Sequence, residues 1–329
     1  MQTMKRLFDI LDRPAAGDGP EQLSARYRGA MLGLAAGNAL GIPVEGYPSL
    51  LINRRFPAGV RDVDAAESKR PWDDDLAQAV VMAEAILEHD RFDLADLATR
   101  LLAWRRSNGR GIGHHTRRVL DAIAGGTPAE DAARIVWLET GQNAAGNGAI
   151  TRSAPVALRW RRDPERLVAE THQSALVTHH DARCGWSSVA VNAAIAAALD
   201  GRSVDLEELA EGLDEAGAPL TVVSAVRSVE GASLASLDLD HDNTMGYTLK
   251  AMQAGLWALE QEGDAESILI SIVNAGGDTD TNGAVAGAML GAKQGAEAIP
   301  SRWIVSLRDA ASLAEIGQRL QVSSTTRPG

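Results

Sequence analysis

The chain has 329 residues, 45% hydrophobic and 23% charged, the composition of a soluble globular protein able to bury a substantial core. Its formal net charge of −12 argues against nonspecific binding along a nucleic-acid backbone. Small anionic ligands stay open, because a bound divalent cation reverses the sign of a site locally. One cysteine, Cys184, excludes an intramolecular disulfide, no apolar run approaches a membrane span, and Asp9 and Asp12 break the N-terminus as a signal peptide, so a cytoplasmic protein without a membrane partner is expected.

Residues 1–22 read as a flexible leader, a short amphipathic piece followed by Pro14-Ala-Ala-Gly-Asp-Gly-Pro20. Residues 21–40 read as the first long helix, with Tyr27, Ala30, Met31, Leu34 and Ala35 on one face. Gly29-Ala-Met-Leu-Gly33 in that helix recurs at Gly287-Ala-Met-Leu-Gly291 without flanking similarity. This predicts two helices packed closely in one core, not an internal repeat. A Gly/Pro-punctuated loop carrying Glu45 extends to about Arg70. Pro71-Trp-Asp-Asp-Asp75 then opens a helix to about Glu88.

Helices are expected at 93–107, 116–124 and 127–138. Asn108-Gly-Arg-Gly-Ile-Gly-His-His115 between two of them reads as an exposed polar loop, although a His pair there could bind a metal. Gly141-Gln-Asn-Ala-Ala-Gly-Asn-Gly148 is a connection whose backbone N–H groups could receive phosphate. Helical text continues at 165–178, 185–199, 205–225 around Pro219, 249–262 and 303–320, and 323–329 reads as a disordered tail. Alternating strand–helix text is absent, so the fold class is all-α, one multi-helix domain over residues 23–322.

The most informative stretch is Asn274-Ala-Gly-Gly-Asp-Thr-Asp-Thr-Asn-Gly283, between an apolar run and an Ala/Gly-rich segment that both read as helix. Oxygens at a helix start cap free N–H groups, and capping would account for one Asp. Two carboxylates and a hydroxyl beside a Gly-Gly turn point instead to a hard-cation site. The EF-hand pattern starting at Asp278 fails, because its twelfth position is Met289. Asp73, Asp74 and Asp75 form a second cluster of acids at a helix start, pointing either to water or to a cation. Two such clusters in one chain favour a shared metal site.

Together these stretches resemble the ADP-ribosylglycohydrolase family over about residues 24–305, most specifically at Gly276-Gly-Asp-Thr-Asp-Thr281 with Asn282, Ala286-Gly287, Gly291 and Ile299-Pro300. Gly37-Asn38-x-x-Gly41-x-x-x-Glu45 is similar to the family's Gly-Asp-x-x-Gly-x-x-x-Glu. Gly146-Asn147-Gly148 with Arg152 and Pro155 is similar to its Gly-Asn-Gly-x-x-x-Arg-x-x-Pro, and Thr178-His179-His180-Asp181 to its Thr-His-x-Asp. Gly246-Tyr247-Thr248-Leu249-Lys250-Ala251 also resembles the family. Against its Thr-Asp-Asp-Thr stand Asp73, Asp74, Asp75 and Leu76, which adds one charge and loses one oxygen, and Asn38 replaces an Asp.

The resemblance implies an all-helical fold with a two-metal centre. It implies that Asp73, Asp74, Asp75, Asp278, Asp280 and Thr281 bind two divalent cations, Mg²⁺ or Mn²⁺, with Glu45 as a further ligand or a base. Glu45, Asp75 and Asp74 would carry catalysis, and Gly113, Gly146, Asn147, Gly148 and His179 would line an ADP-ribose pocket. The implied reaction is hydrolysis of the C1″ glycosidic bond of an ADP-ribosyl group on a protein side chain or related acceptor. The alternatives are a small compound such as O-acetyl-ADP-ribose as substrate, or a catalytically degenerate binding or structural protein.

Overall fold

Gly29, Gly33, Gly37 and Gly41 form a stripe along a 22-residue helix, and the molecule is assembled around it. The computed structural model describes residues 4–17 and 19–325, the side chains of 322–325 excepted. In chain order the helices are α1 (Lys5–Leu11), α2 (Pro20–Gly41), α3 (Ser49–Arg55), α4 (Asp74–His89), α5 (Leu94–Ser107), α6 (His114–Ala124), α7 (Ala129–Glu139), α8 (Ala154–Trp160) and α9 (Pro164–Leu176). They continue as α10 (Ala182–Leu199), α11 (Leu206–Glu215), α12 (Leu220–Arg227), α13 (Thr248–Glu260), α14 (Ala265–Asn274), α15 (Thr279–Gln294), α16 (Ser301–Ser306) and α17 (Ala310–Thr325). Among the described residues the only sheet is a two-residue antiparallel ladder, β1 (Tyr47–Pro48) against β2 (Gly276–Gly277).

Helices α2 and α15 run antiparallel with their glycines facing. A Cβ on Gly33 would lie 2.1 Å from the Gly287 carbonyl oxygen, one on Gly37 1.9 Å from that of Gly283, and one on Gly29 2.4 Å from that of Gly291. Only hydrogen fits at this spacing, so the repeated five-letter segment is two halves of one backbone-to-backbone contact. Helix α10, buried on all sides from Cys184 to Leu199, supplies a second central rod whose Ala and Val side chains let neighbours approach.

Three expectations are corrected. The leader is not free throughout, because α1 buries Leu7 and Leu11 completely and packs on α11, where a Cβ on Gly212 would sit 3.3 Å from the Leu7 backbone. The loop after Glu45 contains α3, held in part by Asp240, whose Oδ2 accepts the Ser49 N–H at 2.8 Å. The single helix expected at 303–320 is split before Asp309, which takes a left-handed φ of 55°. Helix α17 then runs through Thr325, and the remainder of the expected tail, 326–329, lies outside the described residues.

Candidate active site

The antiparallel glycine contact puts the C-terminal end of α2 against the N-terminal end of α15. Gly41 is so close to the start of α15 that a Cβ there would lie 2.3 Å from the Thr279 carbonyl oxygen, and the Thr279 hydroxyl donates to the Gly41 carbonyl at 2.8 Å. The chain then turns through Glu45 into β1, and Gly46 N–H donates to Gly277 O at 2.8 Å. Gly276 and Gly277 both adopt a φ of +81°, and a Cβ on Gly277 would lie 2.1 Å from the Leu239 carbonyl oxygen, so the turn before Asp278 requires glycine. Helix α4 is added by two side-chain bonds. Asn38 Nδ2 donates to Asp73 Oδ2 at 3.1 Å, and Thr281 Oγ1 donates to Asp75 Oδ2 at 2.8 Å.

These contacts unite the two acid clusters. One oxygen from each of Glu45, Asp278 and Asp280 lies within 4.8 Å of the others. Ordinary capping does not explain them. Asp93, Asp163, Asp181, Asp205 and Asp264 each stand at a helix start and accept a backbone N–H of the first turn. Asp278 stands at an equivalent position and makes no such bond. Burial, then mutual repulsion, pushes the carboxyls upward: Asp74 to about 7, Asp75 and Asp280 well above the usual range, and Glu45 upward by burial and by Asp278 and Asp73. Burial also raises Asp73, opposed by Asn38 and by Arg110. Arg110 is held by Glu67 at 2.9 Å and by the Pro71 carbonyl at 2.8 Å.

Asp73 Oδ1 and Asp280 Oδ1 are buried with no hydrogen-bond partner. Oxygens without partners among mutually repelling carboxylates form a donor set suited to a hard divalent cation.

The facing wall has the opposite character. Arg152, fully buried, donates to the carbonyl of Gly148 at 2.8 Å, to that of Ser174 at 3.1 Å, and to Thr178 Oγ1 at 2.6 Å. Its guanidinium thus ties the Gly-Asn-Gly loop to the Thr-His turn, and burial without a carboxylate partner lowers it to about 10. Thr178 Oγ1 lies 2.8 Å from His179 Nδ1. Arg152 can only donate, so the Thr178 hydroxyl accepts from it and holds the imidazole by its Nδ1 edge, leaving the Nε2 edge toward the glycine loop. Burial, with His115 and Arg152 nearby, holds His179 well below the usual imidazole range and therefore neutral.

The two walls enclose about 230 Å³, lined by Glu45, Asp74, Asp75, Asp278, Asp280 and Thr281 on one side, and by Gly113, Gly146, Asn147, Gly148 and His179 on the other. Asn147 bridges them, its Nδ2 donating to Asp278 Oδ2 at 2.8 Å. Of the residues expected at the site only Asp73 does not line the cleft; it sits beneath it against Asn38. The cleft also takes in Gly111, His114, His115, Thr116 and Gly246, which sequence reasoning did not select. The only signal for the middle three was the His-His pair, read as an exposed loop. It is the first turn of α6.

A family model described as ADP-ribosylglycohydrolase matches residues 19–328. An uncharacterized protein of Archaeoglobus fulgidus is 30% identical over 316 residues, covering 91% of this chain and 96% of its own. ADP-ribosylarginine hydrolase Tri1 of Pseudomonas putida is 27% identical, covering 92% of this chain and 79% of that protein. Among solved structures, one described as an ADP-ribosylglycohydrolase-related protein complex superposes with a TM-score of 0.74 at 30% identity, over 93% of this chain and 100% of the other.

Proposed function

The chain belongs to the ADP-ribosylglycohydrolase family, and from that premise we propose that it hydrolyses the C1″ glycosidic bond of ADP-ribosyl groups with the help of two divalent cations. The observation that carries this reading is the bipolar cleft. An acidic wall, on which Asp280 Oδ1 has no partner, faces the Gly-Asn-Gly loop and His179, which Arg152 ties together from behind the cleft. A ligand with a hydroxylated sugar at one end and phosphate near the other complements both walls. The name of the Pseudomonas putida relative makes arginine-linked ADP-ribose the first substrate to test.

In this reading Asp278, Asp280, Thr281, Asp73, Asp74, Asp75 and Glu45 hold the cations, Mg²⁺ or Mn²⁺. When bound, these would neutralise the cluster and polarise the ribose 2″ and 3″ hydroxyls and a water. Asp75, oriented by Thr281, takes the water's proton, with Glu45 as the other candidate base. The water oxygen bonds to C1″ while the acceptor leaves with the bonding pair, and the proton taken from the water passes on to it. Gly113, Gly146, Asn147, Gly148 and His179 hold the remainder of the substrate, the glycine backbones offering N–H groups to phosphate.

The test is ADP-ribose release from arginine-, serine- and ester-linked substrates, including O-acetyl-ADP-ribose, with Mg²⁺, with Mn²⁺ and with chelator. Release from one linkage that chelator and Asp278→Ala both abolish is the expected result. No release from any, with ADP-ribose still bound, would replace the reading with that of a binding protein.

A further inference from the structure

We propose that Asn38 is a positioning residue of the acid centre, and that Asn38 and Asp73 are one exchange, a carboxylate moved between two touching positions. The proposal rests on the reading of that centre as a divalent-cation site and adds to it a residue outside the ligand set.

Asn38 is the only polar side chain between Gly29 and Gly41 on α2. It stands one turn before Gly41, where a Cβ would lie 2.4 Å from the Asp280 backbone nitrogen, so it is close to the start of α15. Asparagine is disfavoured inside a helix and its amide is costly to bury, so this position requires a partner. The partner is Asp73, 35 residues on at the start of α4, whose Oδ2 accepts from Asn38 Nδ2 at 3.1 Å in a buried contact. An ionised carboxylate only accepts, so the amide nitrogen is the atom that faces it. One oxygen of Asp73 is thereby occupied, and Oδ1, buried without a partner, is the one offered to a cation.

Burial pushes the Asp73 carboxyl up, and the Asn38 hydrogen bond is the largest of the contacts that oppose it, ahead of Arg110 and the Leu76 backbone N–H. A carboxylate at position 38, as in the pattern the chain resembles, would meet Asp73 in the same buried contact, and the two would repel. The departures at 38 and 73 therefore offset each other. One position gives up a carboxylate where its neighbour in space gains one, and the pair keeps a single negative charge.

The rival role for Asn38 is to hold the fold alone. Mg²⁺ is titrated calorimetrically into the chelator-stripped full chain, and metal-free stability is read by denaturant unfolding. Asn38→Leu, which removes the donor, and Asp73→Thr are each expected to weaken Mg²⁺ binding about tenfold. The paired variant, Asn38→Asp with Asp73→Thr, is expected to return to within about threefold of wild type, a rescue that independent sites would not give. Wild-type affinity in Asn38→Leu, with only the unfolding midpoint lowered, marks a fold-only role and overturns the proposal. A paired variant that binds no tighter than Asp73→Thr overturns it too, and decides alone if Asn38→Leu does not fold. A wild-type chain that binds neither Mg²⁺ nor Mn²⁺ overturns the reading of the acid centre, and this role with it.

Discussion

The two ends of the α2–α15 pair differ in how well they satisfy themselves. Along the glycine rows every contact is apolar or backbone, at distances that admit no added atom. At the end of the same two helices, carboxylates repel one another, Asp73 Oδ1 and Asp280 Oδ1 lack partners, and Asn282 is buried with neither amide atom paired. The first region is rigid because it is complete. The second is held in an unfavourable arrangement by the first, the expected relation between a rigid scaffold and a functional site.

Four perturbations sharpen or break this contrast, in order of decreasing effect. Asp280→Asn keeps the shape but removes one charge. It should lower ADP-ribose release about a thousandfold, roughly 4 kcal/mol of barrier, while raising the melting temperature of the metal-free chain. A drop in both would show that the acid stabilises the fold. Gly287→Ala, whose Cβ would lie 2.0 Å from the Gly33 carbonyl oxygen, should cost about 3 kcal/mol in denaturant unfolding by forcing the helices apart. An unchanged midpoint would show that the pair yields easily.

Adding Mg²⁺ or Mn²⁺ at about 100 times its dissociation constant should stabilise the chain by about 2.7 kcal/mol. Differential scanning calorimetry reads that shift, and it should vanish in Asp280→Asn. The smallest effect is on pH dependence. Asp74 is raised to about 7 in the folded chain, against about 3.9 for a free Asp. The folded state therefore binds protons more tightly than the unfolded. The stability this contributes is complete below about pH 3.9 and is lost as pH rises through about 7. Melting temperatures of metal-free protein should fall by a few degrees between pH 5 and 8, on the order of the Asp74 window, and a flat profile would show the cluster to be better solvated than its burial indicates.

Legibility in the sequence followed the range of the interactions. Asp278, Asp280 and Thr281 could be selected because they occupy one helix start beside a Gly-Gly turn, a wholly local pattern. The long helices were readable for the same reason, their apolar spacing and punctuation being local. Asp73 looked equivalent to Asp74 and Asp75, yet a contact with Asn38, 35 residues away, turns it beneath the cleft. His115 sat in a glycine-rich segment that read as an exposed loop, and only its packing against His179 makes it part of a wall. Helix α3 was hidden in a Gly/Pro-punctuated stretch, and Asp240, 191 residues later, accepts its first N–H.

The sequence by itself determined an all-helical chain, two acid clusters at helix starts, and the small-residue segments that let two helices meet. Those features depend on backbone propensity and side-chain period, which act over a few residues. Tertiary structure alone decided that the glycine rows run antiparallel, that Asp278 leaves its helix cap unmade while five other aspartates make theirs, and that a buried arginine joins two loops into the facing wall. Each of these rests on distances between segments far apart in the chain, which are set only when the helices pack.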